Sequence, residues 1–347
     1  MGVKQHKIVA VDVGQHSLNM VLGNGQGMIV KAATVKLPDG VITSSRLNSP
    51  DMLTAALREA RAKSKITDKN CALVVGGREV IIRYFTLPKM SQEQLYENLI
   101  SELSSYLPFS AEQYTIDYAI KDVITSEKSV EYRVMVVAIH NEVIMPYVEA
   151  FKEAGFRLVR VDIRDNCYEK LMKALEYKNY RVKENFSIID IGSSSTTVSA
   201  YSNKMFFINN TSNIGGNYFR DAVADLYGIN PLQAEEKKLE ISKIEYSRQD
   251  KAVMDIMNAF FEKLVSDAAR VFEFFKSNNE QRNVEEIYIC GGSSAIKGMP
   301  AYIESSSDIL TTELRDVIKV LFSPRIINEL KLELYGSAVG ATFLEVD

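Results

Sequence analysis

Short apolar runs typical of buried strands alternate along the whole chain with segments of helical periodicity. The runs at residues 8–13 and 186–191 both end in a polar turn. Elsewhere, apolar residues recur three and four positions apart, most regularly at residues 250–276. Strand and helix patterns that alternate in this way indicate an α/β fold.

A strand–turn–strand pattern near the start of the chain recurs in the second half without a gap. Residues 8–33 match residues 186–211 at a constant offset of 178 positions. The matched turn residues are Asp12 with Asp190, Gly14 with Gly192 and Ser17 with Ser195. Chance similarity between two hairpins is the alternative, but the unbroken match favours a duplicated domain in which each half offers one loop to a shared cleft.

Asp-x-Gly turns at strand ends are suited to holding a phosphate through a cation. Glycine has no Cβ, so the backbone N–H groups of the turn can come close to an anion. Asp12 and Asp190 would repel a phosphate directly, and together they predict a Mg²⁺ ion held largely through waters. Taken singly, either turn could be an ordinary β-turn. Hydroxyl groups follow in both copies, namely Ser17, Ser193, Ser194, Ser195 and Thr196.

A glycine pair after an apolar strand forms a third candidate loop within residues 285–300. Gly291 and Gly292 would let a flat ring lie against the backbone, and Ser293 and Ser294 would cap a following helix. Glycine pairs are common in such loops. The evidence that this pair belongs to the same site is therefore its position in the second half, after the second hairpin, more than its composition.

Local signals also place two helices between the loops. Ser91 and Gln94 have the spacing of a capping box, and Asp165 is predicted to cap the helix that follows it. The inner face of the first helix is predicted to carry Leu95, Leu99, Leu103 and Tyr106.

The three loop motifs resemble the phosphate-1, phosphate-2 and adenosine motifs of the actin-like ATPase superfamily. A segment between them is more specific, because residues 77–120 are similar to the type IV pilus assembly PilM family. The resemblance rests on Arg83 in a strand, Leu-Pro-x-Met at 87–90, Tyr-x-Pro-Phe at 106–109 and Asp-Tyr at 117–118. It extends over essentially the whole chain.

The resemblance implies an actin-like ATPase fold, which is a duplicated two-lobe α/β domain with a nucleotide cleft and a 1C insert of the FtsA and PilM type. Subdomain 1A would comprise residues 1–87 and 156–185, with the 1C insert at 88–155. Subdomain 2A would comprise residues 186–226 and 284–347, with subdomain 2B at 227–283.

The resemblance also implies that ATP or ADP binds with Mg²⁺ between the halves, with Asp12 and Asp190 holding the metal through waters. Glu235 and Lys238 would reach the ribose and adenine, although their spacing also suits an ion pair on a solvated helix face. The full set of implied nucleotide-binding residues is Asp12, Gly14, Gln15, His16, Ser17, Asn19, Asp190, Gly192, Ser193, Ser194, Ser195, Thr196, Gly215, Gly216, Glu235, Lys238, Gly291, Gly292, Ser293, Ser294 and Lys297.

Two departures from the superfamily pattern predict little or slow ATP hydrolysis. Asn19 stands where related ATPases usually have a lysine, and an amide brings no charge to the phosphates. Arg164 stands where many PilM relatives have a glutamate. Asp162 is the nearest candidate for a catalytic acid that orients water. A cycling ATPase, an FtsA-like filament-forming protein and a small-molecule kinase remain as alternatives on the same fold.

As a PilM relative, the chain would bind the N-terminal cytoplasmic peptide of the membrane protein PilN at the inner membrane. The peptide would lie in a groove between subdomains 1A and 1C. Membrane contact would come only through this partner, while contacts with pilus assembly motor ATPases and a homo-oligomeric state stay open. The groove residues implied are Arg83, Tyr84, Phe85, Leu87, Leu95 and Leu99.

Composition argues against several other classes of protein. The 347 residues include 41 Lys and Arg against 45 Asp and Glu, a formal net charge of −4, so no attraction to nucleic acid is expected. The three cysteines form no CxxC pair, the histidines lack metal-ligand spacing, and no apolar run has the length of a membrane span. Residues 1–7 lack a signal-peptide core, and residues 335–347 combine small residues with an acidic end. These features predict a cytoplasmic protein.

Overall fold

The computed structural model describes residues 7–43, 46–126 and 129–344. Most of the predicted approach to the first strand, residues 1–6, lies outside these ranges, and so does the acidic C-terminal end, residues 345–347.

Strands and helices alternate through the described residues, as the pattern predicts. The strands are β1 (Lys7–Val13), β2 (Ser17–Asn24), β3 (Ile29–Lys36), β4 (Ile42–Thr43), β5 (Arg46–Leu47), β6 (Asn70–Val75), β7 (Val80–Pro88), β8 (Tyr114–Thr125), β9 (Val130–His140), β10 (Arg157–Ile163), β11 (Phe186–Ile191), β12 (Thr196–Ser202), β13 (Met205–Ser212), β14 (Glu286–Cys290) and β15 (Leu310–Glu313). The helices are α1 (Pro50–Ser64), α2 (Gln92–Ser104), α3 (Asn141–Glu153), α4 (Arg164–Glu176), α5 (Gly216–Tyr227), α6 (Pro231–Ile241), α7 (Lys251–Ser277), α8 (Met299–Ser307), α9 (Leu314–Ile318) and α10 (Gly336–Gly340).

Two five-stranded sheets of matching topology form the two lobes. The first has the order β10-β6-β1-β2-β3 and the second the order β13-β12-β11-β14-β15. Each sheet contains an antiparallel hairpin and a third antiparallel strand. The first strand of each hairpin also pairs in parallel with a later strand, which is β6 in the first lobe and β14 in the second. The two-lobe α/β fold with a duplicated hairpin is therefore confirmed.

Helices α4 and α10 are buried between the two sheets. One continuous apolar core contains Ala10 of β1, Leu171 of α4, Ile188 of β11 and Val339 of α10. The N-terminal end of α4 therefore lies between the two lobes, at a place that both hairpin loops can reach. The small residues of α10 pack in this core, as the sequence predicts.

A three-stranded sheet with the order β7-β9-β8 forms the insert, and α2 covers it. The predicted capping box at Ser91 and Gln94 is confirmed, since each side chain bonds the backbone N–H of the other residue. Tyr106 was predicted on the inner face, but α2 ends at Ser104, and Tyr106 lies beyond that end with 51% of its surface exposed.

The predicted subdomain boundaries stay a prediction. The packing of β7 and α3 nevertheless indicates where the insert begins and ends. Strand β7 lies before the proposed boundary at residue 88, but it pairs with β9 of the insert along its whole length. Helix α3 lies before the boundary at residue 155, but it packs in the core of the first lobe together with α1. The contacts favour an insert that begins with β7 and ends with β9.

Candidate functional site

A cleft of about 760 Å³ lies between the two lobes and is lined by both hairpin loops. Most of the predicted nucleotide-binding residues line it. These are Asp12, Gly14, Gln15, His16, Ser17, Asn19, Asp190, Gly192, Ser193, Ser194, Ser195, Glu235, Lys238, Gly291, Gly292 and Ser293. Residues that are up to 281 positions apart in sequence, Asp12 and Ser293, therefore share one cavity.

The two hairpin turns have the same backbone geometry. The N–H of Gly14 donates to the carbonyl of Ser17 at 2.9 Å, and the N–H of Gly192 donates to the carbonyl of Ser195 at the same distance. A Cβ at either glycine would lie 3.2 or 3.0 Å from the accepting oxygen, so the turn favours glycine in both copies. Ser194 donates a hydrogen bond to the side chain of Gln15, which joins the two loops across the cleft.

The glycine pair of the third loop is packed directly on the second hairpin loop. The hydroxyl of Ser293 donates to the carbonyl of Gly192 at 3.1 Å. Gly291 has a φ of +88°, and a Cβ there would lie 2.5 Å from a carboxylate oxygen of Asp190. The predicted helix after Ser293 and Ser294 is wrong, because residues 292–298 form turns and α8 begins only at Met299.

The first residues of α5 pack against the second hairpin loop and the third loop. Gly216 donates its N–H to the carbonyl of Gly192 at 2.9 Å. A Cβ on Gly216 would lie 2.1 Å from the hydroxyl oxygen of Ser293, and one on Gly215 would lie 2.7 Å from the backbone of Ser193. The start of α5, the second hairpin loop and the third loop are therefore fitted to one another without room for side chains.

Glu235 and Lys238 form the ion pair that their spacing suits and also line the cleft. Lys238 Nζ lies 2.7 Å from Glu235 Oε2, which makes the i,i+3 ion pair, and both residues line the cleft. The pair is not on a fully solvated face, because the Lys238 side chain is only 11% exposed.

Five predicted nucleotide-binding residues do not line the cleft directly. The Thr196 hydroxyl donates to the carbonyl of Ile214, and the Ser294 hydroxyl donates to the carbonyl of Gly291. Both side chains therefore hydrogen-bond to the backbone of loops rather than lining the cleft. Lys297 forms an ion pair with Glu245 instead. Gly215 and Gly216 are the other two and act through the close packing described above.

Asn19 is buried on β2 opposite Asp12 and lines the cleft. Its side-chain oxygen accepts a hydrogen bond from Thr34, whose hydroxyl also lies 2.7 Å from that of Tyr335. An uncharged side chain held in this way brings no positive charge to the cleft.

The sequence analysis missed Arg164, the first residue of α4, as a cleft residue. Its Nη2 donates to Asp12 Oδ1 at 3.0 Å, and its Nε lies 3.6 Å from Asp190 Oδ2. A cation at the start of a helix is unfavourable for the helix dipole. In the sequence, Arg164 is marked by this local conflict and by its position where many PilM relatives have a glutamate.

The pKa values of Arg164 and Asp190 are both shifted by their neighbours in the cleft. The negative charge of Asp12 raises the pKa of Arg164 well above its usual value, so the guanidinium stays protonated. Burial raises the pKa of Asp190, and the charge of Asp12 adds to this effect, whereas Arg164 and the Tyr168 hydroxyl oppose it. The hydroxyl of Tyr168 donates to Asp190 Oδ2 at 3.0 Å, and that of Ser337 donates to Asp12 Oδ2 at 2.6 Å.

A Mg²⁺ ion between the two aspartates does not fit this arrangement. Magnesium needs near-octahedral oxygen ligands at about 2.0–2.1 Å and usually keeps several waters, so it needs open space beside the carboxylates. Both oxygens of Asp12 already accept hydrogen bonds, and the guanidinium lies between the carboxylates. Within residues 7–43, 46–126 and 129–344, no group of three or more His, Cys, Asp or Glu side chains could hold a metal ion.

The catalytic candidate Asp162 does not line the cleft. Its carboxylate forms a buried ion pair with Lys170 and accepts a hydrogen bond from Asn166 at 3.0 Å. Burial alone would raise its pKa, but Lys170 and Asn166 outweigh that effect and hold the pKa below its usual value. The structure therefore assigns Asp162 a place in the packing of α4 rather than beside a reacting group.

Asp165 does not cap α4 as predicted, because the helix begins one residue earlier. Its carboxylate accepts hydrogen bonds from Ser199 at 2.5 Å and from Asn209 at 2.8 Å. These two residues lie on β12 and β13, so Asp165 ties α4 to the second lobe.

The predicted partner-binding residues separate into two groups. Leu95 and Leu99 are 1% exposed in the core under α2, so they cannot contact a partner directly. Tyr84 faces the second lobe, where its hydroxyl donates to the carbonyl of Phe206 at 2.6 Å.

Arg83, Phe85 and Leu87 project from the other face of β7, which is an outer strand of its sheet. The guanidinium of Arg83 lies 5.4 Å from the ring of Tyr106, and the Phe85 ring lies 6.0 Å from it. Arg83, Phe85, Leu87 and Tyr106 therefore form a partly exposed surface, called here the β7 surface.

A family model described as type IV pilus assembly protein PilM matches residues 10–337. This match covers both lobes, the insert and all three loops. The chain belongs to the PilM family. The family resemblance that was based on residues 77–120 is thereby confirmed.

Solved structures of other proteins share the fold. A chain of the PilM-PilN type IV pilus biogenesis complex matches with a TM-score of 0.80 at 20% identity, covering 97% of this chain and 98% of that one. The ethanolamine utilization protein EutJ from Carboxydothermus hydrogenoformans matches with a TM-score of 0.59 at 14% identity, covering 99% and 89%. MreB5 of Spiroplasma citri bound to AMPPNP matches with a TM-score of 0.52 at 13% identity, covering 90% and 93%.

These matches establish an actin-like ATPase fold for this PilM family member. In the part of the chain that the structure describes, no helix is long and apolar enough to cross a membrane.

Proposed function

We propose that this PilM family member is a nucleotide-binding scaffold that holds an extended peptide on its insert. The observation that carries the nucleotide site is the pair of matching glycine turns that face one cleft, with the third glycine loop packed against one of them. The related fold of MreB5, whose structure contains AMPPNP, supports an adenine nucleotide as the ligand. In this proposal the hairpin loops contact the phosphates, and Glu235 and Lys238 lie near the ribose and base.

Gly216→Ala is expected to weaken ATP and ADP binding by about tenfold, or 1.4 kcal/mol. The added methyl group would collide with the Ser293 hydroxyl, which must then turn away from the Gly192 carbonyl and shift the third loop. Isothermal titration calorimetry measures the change. Gly228→Ala, at the other end of α5, is the matched control, because a Cβ at that position meets nothing within 4 Å. Equal affinities for the two variants would contradict the assignment of the third loop.

We propose that hydrolysis of the bound nucleotide is slow or absent. Asn19 supplies no positive charge where related ATPases usually have a lysine, and the carboxylate of Asp162 is held in a buried ion pair that does not line the cleft. The bound nucleotide would then hold the two lobes in a fixed relative orientation, and it would not be hydrolysed in a catalytic cycle.

The proposed partner is the N-terminal peptide of PilN, which would attach the protein to the inner face of the cytoplasmic membrane. The PilM-PilN complex with the same fold supports this partner. An outer strand such as β7 can accept an extended peptide by adding a strand, and the side chains beside the edge then provide selectivity. The β7 surface offers aromatic and aliphatic contacts and one cation for such a peptide.

Tyr106→Ala is expected to lower the affinity for the PilN peptide by about tenfold, because tyrosine is enriched among the few interface residues whose truncation costs more than about 1 kcal/mol. Fluorescence anisotropy of a labelled peptide gives the dissociation constant. Tyr96→Ala is the control: Tyr96 is 46% exposed against 51% for Tyr106, but it packs on Tyr118 of β8, away from β7. A larger loss for Tyr96→Ala would place the peptide on the opposite edge of the sheet.

A further inference from the structure

Arg164 lies where a divalent cation would lie if Asp12 and Asp190 shared one. Its guanidinium contacts Asp12 in the first lobe at 3.0 Å and lies 3.6 Å from Asp190 in the second. The side chains are largely shielded from water, with 21% of Arg164, 10% of Asp12 and 15% of Asp190 exposed. Two facing carboxylates without a cation would repel one another strongly in such a site.

The surroundings of Arg164 are fitted to this position. A Cβ on Gly76, directly after β6, would lie 3.2 Å from Arg164 Cβ and 3.4 Å from its guanidinium carbon, so a larger residue there would crowd the Arg164 side chain. The hydroxyls of Ser337 and Tyr168 donate to the carboxylate oxygens, so the negative charges have further partners. A cation of the chain therefore lies between the two carboxylates, each of which also accepts a hydrogen bond from a hydroxyl group.

We propose that Arg164 is the resident cation of this cleft and excludes a divalent ion from between Asp12 and Asp190, so that nucleotide binds without a metal ion there. This inference rests on the nucleotide binding proposed above. A guanidinium carries one permanent charge and five N–H donors. Among the described residues, Arg164 makes a single hydrogen bond, to Asp12, which leaves donors for a phosphate oxygen.

The first test compares nucleotide affinity in solutions with Mg²⁺ and with EDTA, by calorimetry on the full chain. For the wild type, the two dissociation constants for ADP, and likewise for ATP, are expected to agree within about threefold, whereas Arg164→Gln is expected to bind at least about tenfold more weakly in EDTA than in Mg²⁺. The glutamine frees both carboxylates and removes the charge. A wild type that loses tenfold or more in EDTA would overturn the proposal, and this result needs no variant.

The second test uses the metal alone and does not depend on nucleotide. Millimolar Mg²⁺ or Mn²⁺ is expected to raise the Tm of Arg164→Gln by at least about 2 °C and that of the wild type by less than half as much, because a ligand that binds only the folded state stabilises it. Arg157→Gln is the matched control, since Arg157 bonds Asn70 on the exposed side of β10 and touches neither aspartate. A solution of equal ionic strength without divalent ions corrects for salt.

The outcomes separate the inference from the proposed function. If neither nucleotide binds in either solution, the nucleotide function fails, and the thermal measurement still decides whether Arg164 excludes the metal. If divalent ions stabilise the wild type as much as Arg164→Gln, Arg164 does not exclude the metal and the inference is overturned. If Arg164→Gln does not fold, Arg164→Lys keeps the charge and is expected to bind nucleotide equally in Mg²⁺ and EDTA.

Discussion

Gly340→Ala is expected to lower the free energy of unfolding by about 3 kcal/mol or more, which is the upper range for overpacking of a close-packed core. Gly340 is the last residue of α10, and an added Cβ would lie 1.9 Å from the backbone carbonyl oxygen of Cys167 in α4. No side-chain rotation relieves a collision with backbone, so the two helices must separate. Chemical denaturation followed by circular dichroism measures the loss.

The same substitution is expected to change the cleft, because α10 also carries Ser337, whose hydroxyl bonds Asp12. Gly40→Ala is the control for adding a methyl group at a glycine. A Cβ at Gly40 meets nothing within 4 Å, and only its φ of +83° opposes the change, at a cost of about 1–2 kcal/mol. A loss for Gly340→Ala no larger than that of Gly40→Ala would show that α10 and α4 are not packed as described.

Asp162→Asn is expected to destabilise the protein by about 3–5 kcal/mol, the range found when one partner of a buried ion pair is removed. The substitution leaves the charge of Lys170 without its partner, and that lysine is 3% exposed. Nucleotide affinity of the folded protein is expected to remain within about threefold of the wild type, because Asp162 does not line the cleft. A loss of nucleotide binding with unchanged stability would restore Asp162 as a site residue.

The destabilisation by Asp162→Asn is expected to shrink in acid. The folded state holds the pKa of Asp162 below its usual value, so the ionised carboxylate stabilises the fold above the unfolded pKa, and this contribution disappears as the pH falls through the folded pKa. Stability curves of the variant and the wild type should therefore converge below about pH 4. The double variant Asp162→Asn with Lys170→Met should recover much of the loss at neutral pH, because it leaves no unpaired buried charge.

These two predictions concern the same helix. α4 carries Arg164 at its first turn, Asp162 lies two residues before that, and Gly340 fixes its distance from α10. The position of the guanidinium between the two lobes therefore depends on packing that lies outside the cleft.

Local patterns in the sequence were sufficient to predict the duplicated hairpins, the three loops, the strands and helix of the insert and the start of α2, but not the starts of α4 and α8. Each of these depends on neighbouring residues: a glycine at a turn, Ser91 with Gln94 at a helix start, or apolar spacing along α7. The turn hydrogen bonds of Gly14 and Gly192 each join residues three positions apart, so the sequence repeat alone predicts that the two turns are similar.

The cation of the cleft was decided only by the tertiary structure. Arg164 is 152 positions from Asp12 and 26 from Asp190 in the sequence, and it reaches both because α4 is buried between two sheets. The same packing turned Asp162 towards Lys170 and Asp165 towards β12 and β13. A sequence shows which side chains carry charge, but their partners follow from which elements pack together, because Coulomb interactions and hydrogen bonds depend on distance in space.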